Sequence, residues 1–530
     1  MNIPLTHIRF LERARIQFGK KIGIIEGDSS WTYCEYAERC YKLANLLISW
    51  NLKPSSRVAF LSYNSHHLME AYYGVAMAGG ILLPLNIRLT ANDFLFILND
   101  CQAEYLFFHS DFTKDIESIR PKLKSLTKFI PLDSAEQNDW AESLAYDQLL
   151  ESQAPCLEFQ PLSINEDDTA ELFYTSGTTN RPKGVMLTHR NLYLHALETI
   201  VAKNIKESDV LLHTIPLFHA NGWGFPQSLT CIGGQHVLIK KFHPKKVLQQ
   251  INRHKITTFA LVPTMANSIL NFPNLNTYDL SSVRQIILGG SAANPHLIQQ
   301  LERTFDCHCL SSYGLTETSP VLTLASQKSF LSLSEKERYH LQSMSGFPIP
   351  GAEIKIMDSQ DQELPWDGES VGELVVQGDT IMAGYWNRSK ETNQVFRNKW
   401  FHTGDMATIN PDGYIQIVDR KKDIIISGGE NISSLEIENV LTSHPAILEC
   451  AVIPVPNPLW GENPTALVVL KDNCQASKKE LLDHCRTQLA NFKIPTNIKF
   501  LDCLPKGGTG KILKRELKKR YGASPEKITH

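Results

Sequence analysis

Tyr174-Thr175-Ser176-Gly177-Thr178-Thr179-Asn180-Arg181-Pro182-Lys183-Gly184-Val185 is the stretch on which the reading of this chain turns. Its small hydroxyl and glycine residues let backbone amides approach phosphate oxygens, the hydroxyls add donors, and Lys183 brings positive charge to where negative charge collects. It is not a Walker loop, which needs four residues between its glycines and then Lys-Ser/Thr at the head of a helix. Here Pro182-Lys183-Gly184 runs into the apolar residues 185–187, which read as a strand.

Outward from this loop, short runs of Val, Ile, Leu and Phe alternate with amphipathic stretches. Residues 57–62 read as a strand and 67–78 as a helix; 283–288 form another strand, ended by Gly289-Gly290, with a helix beginning after Pro295. The alternation predicts an α/β domain. After about Gly413 the texture changes to a strand at 414–418, a charged break Asp419-Arg420-Lys421-Lys422-Asp423, and a short strand at 424–426. A compact unit follows: a helix at 434–441, strands at 448–454 and 465–470, a helix at 478–489 and a basic terminal helix at 512–519. A chain of 530 residues exceeds the roughly 250–300 that one core supports, so a division is expected, and it is set at 1–420 and 421–530.

The charge follows that division. The net charge is −3, but residues 421–530 hold 16 basic and 12 acidic side chains and residues 1–420 hold 37 and 44. The near-neutral total excludes a global attraction to nucleic acid, whereas the basic small lobe suits a polyanionic ligand shared between the lobes or a solvated face. A hydrophobic fraction of 42% rules out wholesale disorder. The charge-free residues 210–239 are long enough to span a bilayer, but Pro216, Pro226 and several glycines make a buried wall or ligand tunnel the expected reading. Eleven scattered cysteines and an N-terminus without a secretory apolar run point to reduced thiols and a cytoplasmic address. Cys307-His308-Cys309 lacks a second ligand pair, so zinc is not expected there.

The motif series, in order, is the phosphate loop, Pro216-Leu217-Phe218-His219, Gly289-Gly290-Ser291-Ala292, Tyr313-Gly314-Leu315-Thr316-Glu317, Thr403-Gly404-Asp405, Asp419-Arg420-Lys421-Lys422-Asp423, Ser427-Gly428-Gly429-Glu430-Asn431 and Pro505-Lys506-Gly507-Gly508-Thr509-Gly510-Lys511. Through these, over nearly its whole length, the chain resembles the adenylate-forming enzymes, which include acyl-CoA synthetases, firefly luciferase and the adenylation domains of peptide synthetases. Asn180 departs from the family's usual glycine, and asparagine tolerates the left-handed backbone that glycine would adopt. The resemblance implies a large, multi-subdomain N-terminal adenylate-forming domain and a small mobile α+β C-terminal domain.

It also implies roles. Thr175, Ser176, Gly177, Thr178, Thr179 and Lys183 would hold ATP phosphates, with Thr178 and Glu317 serving magnesium through hard oxygens. Tyr313, Gly314 and Thr316 would border adenine, as would Gly290, Ser291 and Ala292, where missing side chains admit adenine and the acyl group. Asp405 would accept from both ribose hydroxyls, with Arg420 as its partner. Lys511 would stabilise the adenylation transition state, and rotation at Lys422 would withdraw it and bring Gly428 and Gly429 to the pantetheine of coenzyme A. His219 would gate or orient the acid.

The resulting expectation is ATP-dependent activation of a medium- or long-chain fatty acid through an acyl-adenylate, then transfer to CoA. A separate carrier protein as acceptor is the second enzyme reading. A luciferase-like oxidase ranks lower, and a non-catalytic acyl or nucleotide binder is disfavoured by the joint presence of Glu317, Asp405, Arg420 and Lys511. No transmembrane segment and no nucleic-acid partner are expected; peripheral membrane contact and a homodimer stay open.

Overall fold

In the computed structural model the described residues are 3–133, 140–154, 164–175, 181–428, 430–471, 474–506 and 512–522. Among them the strands build four sheets, three in the large lobe and one in the small lobe. The nine-stranded sheet runs Phe347–Pro348, Val321–Leu324, His308–Gly314, Gln285–Leu288, Thr258–Leu261, Val210–His213, Gln235–Leu238, Ile22–Glu26, Ser29–Thr32. Its centre is parallel, and Thr258–Leu261 and Gln285–Leu288 are buried at every position. That explains their uninterrupted apolar runs, because helices cover both faces of such strands. One cover is the helix Pro295–Phe305, started by Pro295 and capped by the Asn294 side chain, which accepts from the amide of Leu297. It buries Leu297, Ile298, Leu301 and Phe305 as one stripe.

The seven-stranded sheet runs Gly384–Tyr385, Lys183–Thr188, Thr169–Thr175, Ile81–Pro84, Arg57–Leu61, Tyr105–Phe108, Lys128–Pro131. The two strands flanking the phosphate loop are an antiparallel pair, with Thr175 opposite Lys183. The third sheet packs Ala352–Met357, Gly372–Gly378, Trp400–Ile409 and Phe396–Arg397 in order, with Ile415–Arg420 also paired to Trp400–Ile409. The small lobe places the helices Ser434–Thr442 and Lys478–Arg486 against a sheet containing Ile447–Asn457 and Gly461–Leu470.

The structure redraws some expected boundaries. The strand read at 414–418 continues through the charged residues to Arg420, because Asp419 and Arg420 pair with Met406 and Asp405. The strand read at 448–454 extends to Asn457, since its antiparallel partner supports each position as far as Gly461, through two prolines facing each other at 454 and 464. The helix read at 478–489 closes at Arg486, and the terminal helix is Lys514–Tyr521.

The charge-free residues 210–239 fold as a strand, the helix Ala220–Ile232 and a second strand, within the nine-stranded sheet. Pro226 lies inside that helix, and its first turn includes Ala220, Gly222, Trp223 and Gly224 at positive φ. Among the described residues no helix is long and apolar enough to cross a membrane.

Candidate active site

The phosphate hairpin faces the Thr316–Thr318 turn through one intermediary. Tyr385 pairs with Val185 in register, which sets its ring beside Lys183, whose Nζ lies 5.0 Å from the ring centre. The Tyr385 hydroxyl donates to Glu317 Oε1 at 3.1 Å, and the amide of Met382 donates to the Glu317 carbonyl at 2.9 Å. Lys183 and Glu317, 134 positions apart in the sequence, thus share one tyrosine. Ser176, Gly177, Thr178, Thr179 and Asn180 lie outside the described residues; Thr175 and Lys183 fix the two ends of that segment.

Glu317 is partly buried, and desolvation lifts its carboxyl above the usual carboxylate range, against the pull of the Tyr385 hydroxyl and Arg420. A carboxylate removed from water beside a second acid, Asp405, is a hard oxygen donor short of positive charge. The donor chemistry therefore fits Mg²⁺, which Glu317 would hold; the ion would neutralise phosphate charge during phosphoryl chemistry.

The residues expected at the ribose are brought together by strand register. Asp405 and Arg420 stand opposite each other across Trp400–Ile409 and Ile415–Arg420, with Arg420 Nε 3.5 Å from Asp405 Oδ1. Tyr313 donates its hydroxyl to Asp405 Oδ2 at 2.6 Å, and the Asp405 amide donates to Thr403 Oγ1 at 3.1 Å. Asp405 is only 5% exposed, so it is a fixed acceptor, while Arg420 reaches toward solvent. Next to Tyr313, a Cβ on Gly314 would sit 1.8 Å from the Pro320 carbonyl oxygen, so only glycine fits that crossing. Thr316 is buried, and its carbonyl accepts from the Ser319 amide at 3.3 Å within the turn.

His219 and Gly290, two residues expected at the acyl group, line one pocket together with Trp223, Ile215, Val262 and Met265. Gly290 and Ser291 are exposed, and Ala292 partly so. The free volume is about 10 Å³, roughly one water, and the buried indole of Trp223 is part of the lining. A Cβ on Gly289 would meet that indole at 3.0 Å.

On the backbone of Trp223, fully buried Lys203 donates from Nζ to the Trp223 carbonyl at 3.1 Å and lies 4.0 Å from the Phe225 ring centre. Desolvation lowers its amine from 10.5 to about 7. The unfolded chain keeps that proton up to about 10.5 and the folded chain only to about 7, so in this window stability rises with pH. Lys203→Met should remove that rise. The wild-type advantage in urea-unfolding free energy over the variant is expected to grow from about pH 7 to about pH 10; a pH-independent difference would refute the assignment.

At the lobe junction, Asp419 Oδ2 accepts from the amide of Ser434 at 2.7 Å and from its hydroxyl, at the start of the helix Ser434–Thr442. Lys514 donates to the Ser434 hydroxyl at 2.6 Å and pairs with Glu438 at 2.7 Å. Lys518 reaches the Lys422 carbonyl at 3.2 Å and the Asp423 carboxylate at 2.8 Å. Lys422 itself lies in the turn between Ile415–Arg420 and Ile425–Ser427. Gly428 takes φ +60°, and a Cβ there would lie 2.8 Å from the Trp460 ring. Gly429 and Lys511 lie outside the described residues, but Lys506 and Ile512 pair antiparallel, so both ends of the Lys511 segment are tied to the small lobe.

Of the site residues expected from sequence, the structure brings together Lys183 and Glu317 through Tyr385, Tyr313 with Asp405 and Arg420, and His219 with Gly290. Sequence reasoning missed Tyr385, Lys203, Ser434 and Lys514. Tyr385 gives no local signal, since only its pairing with Val185 sets it beside Lys183. Lys203 gives no local signal either, since Lys206, Glu207 and Asp209 stand between it and the charge-free stretch and only the fold buries it.

The geometry has close counterparts. A family model described as AMP-binding enzyme matches residues 11–386, and one described as AMP-binding enzyme C-terminal domain matches 436–511. The peroxisomal benzoate–CoA ligase of Arabidopsis thaliana is 35% identical over 98% of this chain and 93% of that protein. The long-chain-fatty-acid–CoA ligase of Thermus thermophilus is 34% identical over 97% and 95%. The crystal structure of the anthranilate CoA ligase AuaEII in complex with anthranoyl-AMP matches with a TM-score of 0.90 at 26% identity, covering 98% of each chain. The chain therefore belongs to the AMP-binding enzymes and is an ATP-dependent, AMP-forming acyl-CoA ligase that uses ATP, Mg²⁺ and CoA.

Proposed function

We propose that this ligase activates a medium- or long-chain aliphatic acid, and that the residues above divide the work between its two half-reactions. The observation that carries the reading is the pocket at His219 and Gly290, whose lining is apolar apart from His219 and includes the buried indole of Trp223. An uncharged wall suits an alkyl chain, and rotation of one indole would open the space behind it. In the first half-reaction the hairpin around Thr178 and Lys183 and the acid Glu317 bind the ATP phosphates and their ion, Asp405 and Arg420 hold the ribose, and Lys511 lies against the α-phosphate. In the second, the 421–530 unit turns about Lys422, Lys511 leaves, and Gly428 and Gly429 line the pantetheine path. The cytosol is the proposed compartment, since the described cysteines are free thiols, as suits a reducing environment.

The closed state of the pocket favours a second reading, in which Trp223 is a permanent floor and the substrate is short or aromatic. Benzoate and anthranilate appear in the names of two similar ligases. Acid-dependent pyrophosphate release across acids of graded length and aromaticity, with and without CoA, separates the readings. Long aliphatic acids should give the highest kcat/KM, and Trp223→Ala should change it for long acids far less than for benzoate. If wild type prefers benzoate and Trp223→Ala newly admits long chains, the floor reading holds. Pyrophosphate release with no acyl-CoA product would favour a carrier-protein thiol as acceptor.

A further inference from the structure

We infer that His66, His67 and Asp147 form a divalent transition-metal site, suited to zinc, that ties together four elements of the large lobe and takes no part in the nucleotide site. His66 and His67 open the helix His66–Met77, and Asp147 lies in the first turn of the helix Tyr146–Glu151. One ligand atom from each lies within 4.8 Å of the others. His66 Nε2 is 3.8 Å and His67 Nε2 3.6 Å from the Asp147 oxygens. A tetrahedral ion with bonds of about 2.0–2.1 Å holds its ligands about 3.4 Å apart, so small rotations of these side chains complete the geometry.

Two further observations point to a cation. Both Nε2 atoms are buried and make no hydrogen bond among the described residues. The other nitrogen of His66, Nδ1, lies 2.6 Å from Glu26 Oε2, which also accepts from the His66 amide at 2.8 Å. A carboxylate on the far ring nitrogen is the arrangement that fixes a metal-binding histidine, because it holds the proton on Nδ1 and turns the Nε2 lone pair outward.

Charge agrees. Arg39 binds Glu70 and Asp147, each at 2.5 Å, so the acids Glu26, Glu70 and Asp147 outnumber the one arginine and leave two negative charges for cations, either protons on the histidines or a divalent ion in their place. A divalent ion balances them. Arg39 engages Asp147 through Oδ1, while Oδ2 is the oxygen nearest His67. The ligand set of two imidazoles and one carboxylate matches zinc better than magnesium or calcium. The bound ion would join the strand Ile22–Glu26 and the helices Tyr33–Ser49, His66–Met77 and Tyr146–Glu151, through Glu26, Arg39, the two histidines and Asp147.

Full-length protein is stripped with chelator, dialysed against Zn²⁺ in the presence of Mg²⁺, and assayed for zinc per chain. Wild type should retain one zinc more than His67→Ala or Asp147→Asn, and Glu26→Gln should bind it about 10–100-fold more weakly. Because cysteines also capture zinc, Co²⁺ replaces it in a parallel sample. The expected spectrum shows the visible bands of a four- or five-coordinate nitrogen and oxygen site, without a thiolate charge-transfer band, and disappears in both variants. Circular dichroism and acid-dependent pyrophosphate release with Mg²⁺ check that the variants fold. Equal zinc in wild type and folded variants would overturn the site, as would a cobalt spectrum dominated by thiolate; should both variants misfold, the wild-type cobalt spectrum alone decides.

Discussion

Lys511→Ala protein should form acyl-adenylate about 10²–10³-fold more slowly than wild type, yet convert supplied acyl-AMP and CoA to thioester at a near wild-type rate. The magnitude is that of removing one preorganised charge from a transition state in which a carboxylate attacks phosphorus and negative charge builds on its oxygens. The selectivity comes from where the lysine is carried. Lys506 pairs with Ile512, and the amide of Leu513 donates to the Pro505 carbonyl at 2.8 Å, so the residues on either side of the Lys511 segment belong to the small lobe. That lobe is tied to the junction by Lys518 and by the Asp419–Ser434–Lys514 chain, polar contacts that exchange more readily than an apolar interface. Pyrophosphate release measures the first step, and thioester formation from synthetic acyl-AMP the second. Equal loss in both would refute a lysine that acts in one lobe orientation only.

Much of this site is legible in the amino-acid sequence, for a physical reason. Phosphate, ribose and metal contacts need particular chemistry at particular places in the backbone: glycines at crossings such as Gly314, a carboxylate such as Asp405 at a strand position, small residues at a strand end such as Gly290. Those requirements leave short, ordered strings. The groups that position these residues leave no string, because they act across the sheets. Tyr385 reaches Glu317 only because the Gly384–Tyr385 strand pairs with Lys183–Thr188, and Lys514 reaches Ser434 across 80 positions.

Element boundaries are hidden in the same way. Asp419-Arg420 reads as a break because of charge, but cross-strand partners at Met406 and Asp405 keep them in the strand. The pocket shows the limit most plainly. Residues 210–239 announce an apolar wall, but its depth depends on one indole held at φ +66°, a backbone state that the residue type does not announce.

Asp405→Asn should impair both half-reactions, unlike Lys511→Ala, because the ribose stays bound from ATP through acyl-AMP. Asp405 is buried, held by its own amide on Thr403, and reached by the Tyr313 hydroxyl at 2.6 Å. Hydrogen bonds to a charged acceptor contribute about 1.5–3 kcal/mol each. Losing the charge toward two ribose hydroxyls therefore costs about 3 kcal/mol or more, or roughly 10²-fold in kcat/KM for ATP. The same factor is expected in kcat/KM for supplied acyl-AMP, with CoA saturating. Tyr313→Phe provides the comparison: it removes one donor but keeps the carboxylate, so its loss should be about tenfold and its effect with Asp405→Asn less than additive. A variant impaired with ATP but unimpaired with acyl-AMP would mean that Asp405 acts on phosphate chemistry rather than on the ribose. The two substitutions together thus distinguish a residue built into the large lobe, present in both steps, from one carried in and out by the small lobe.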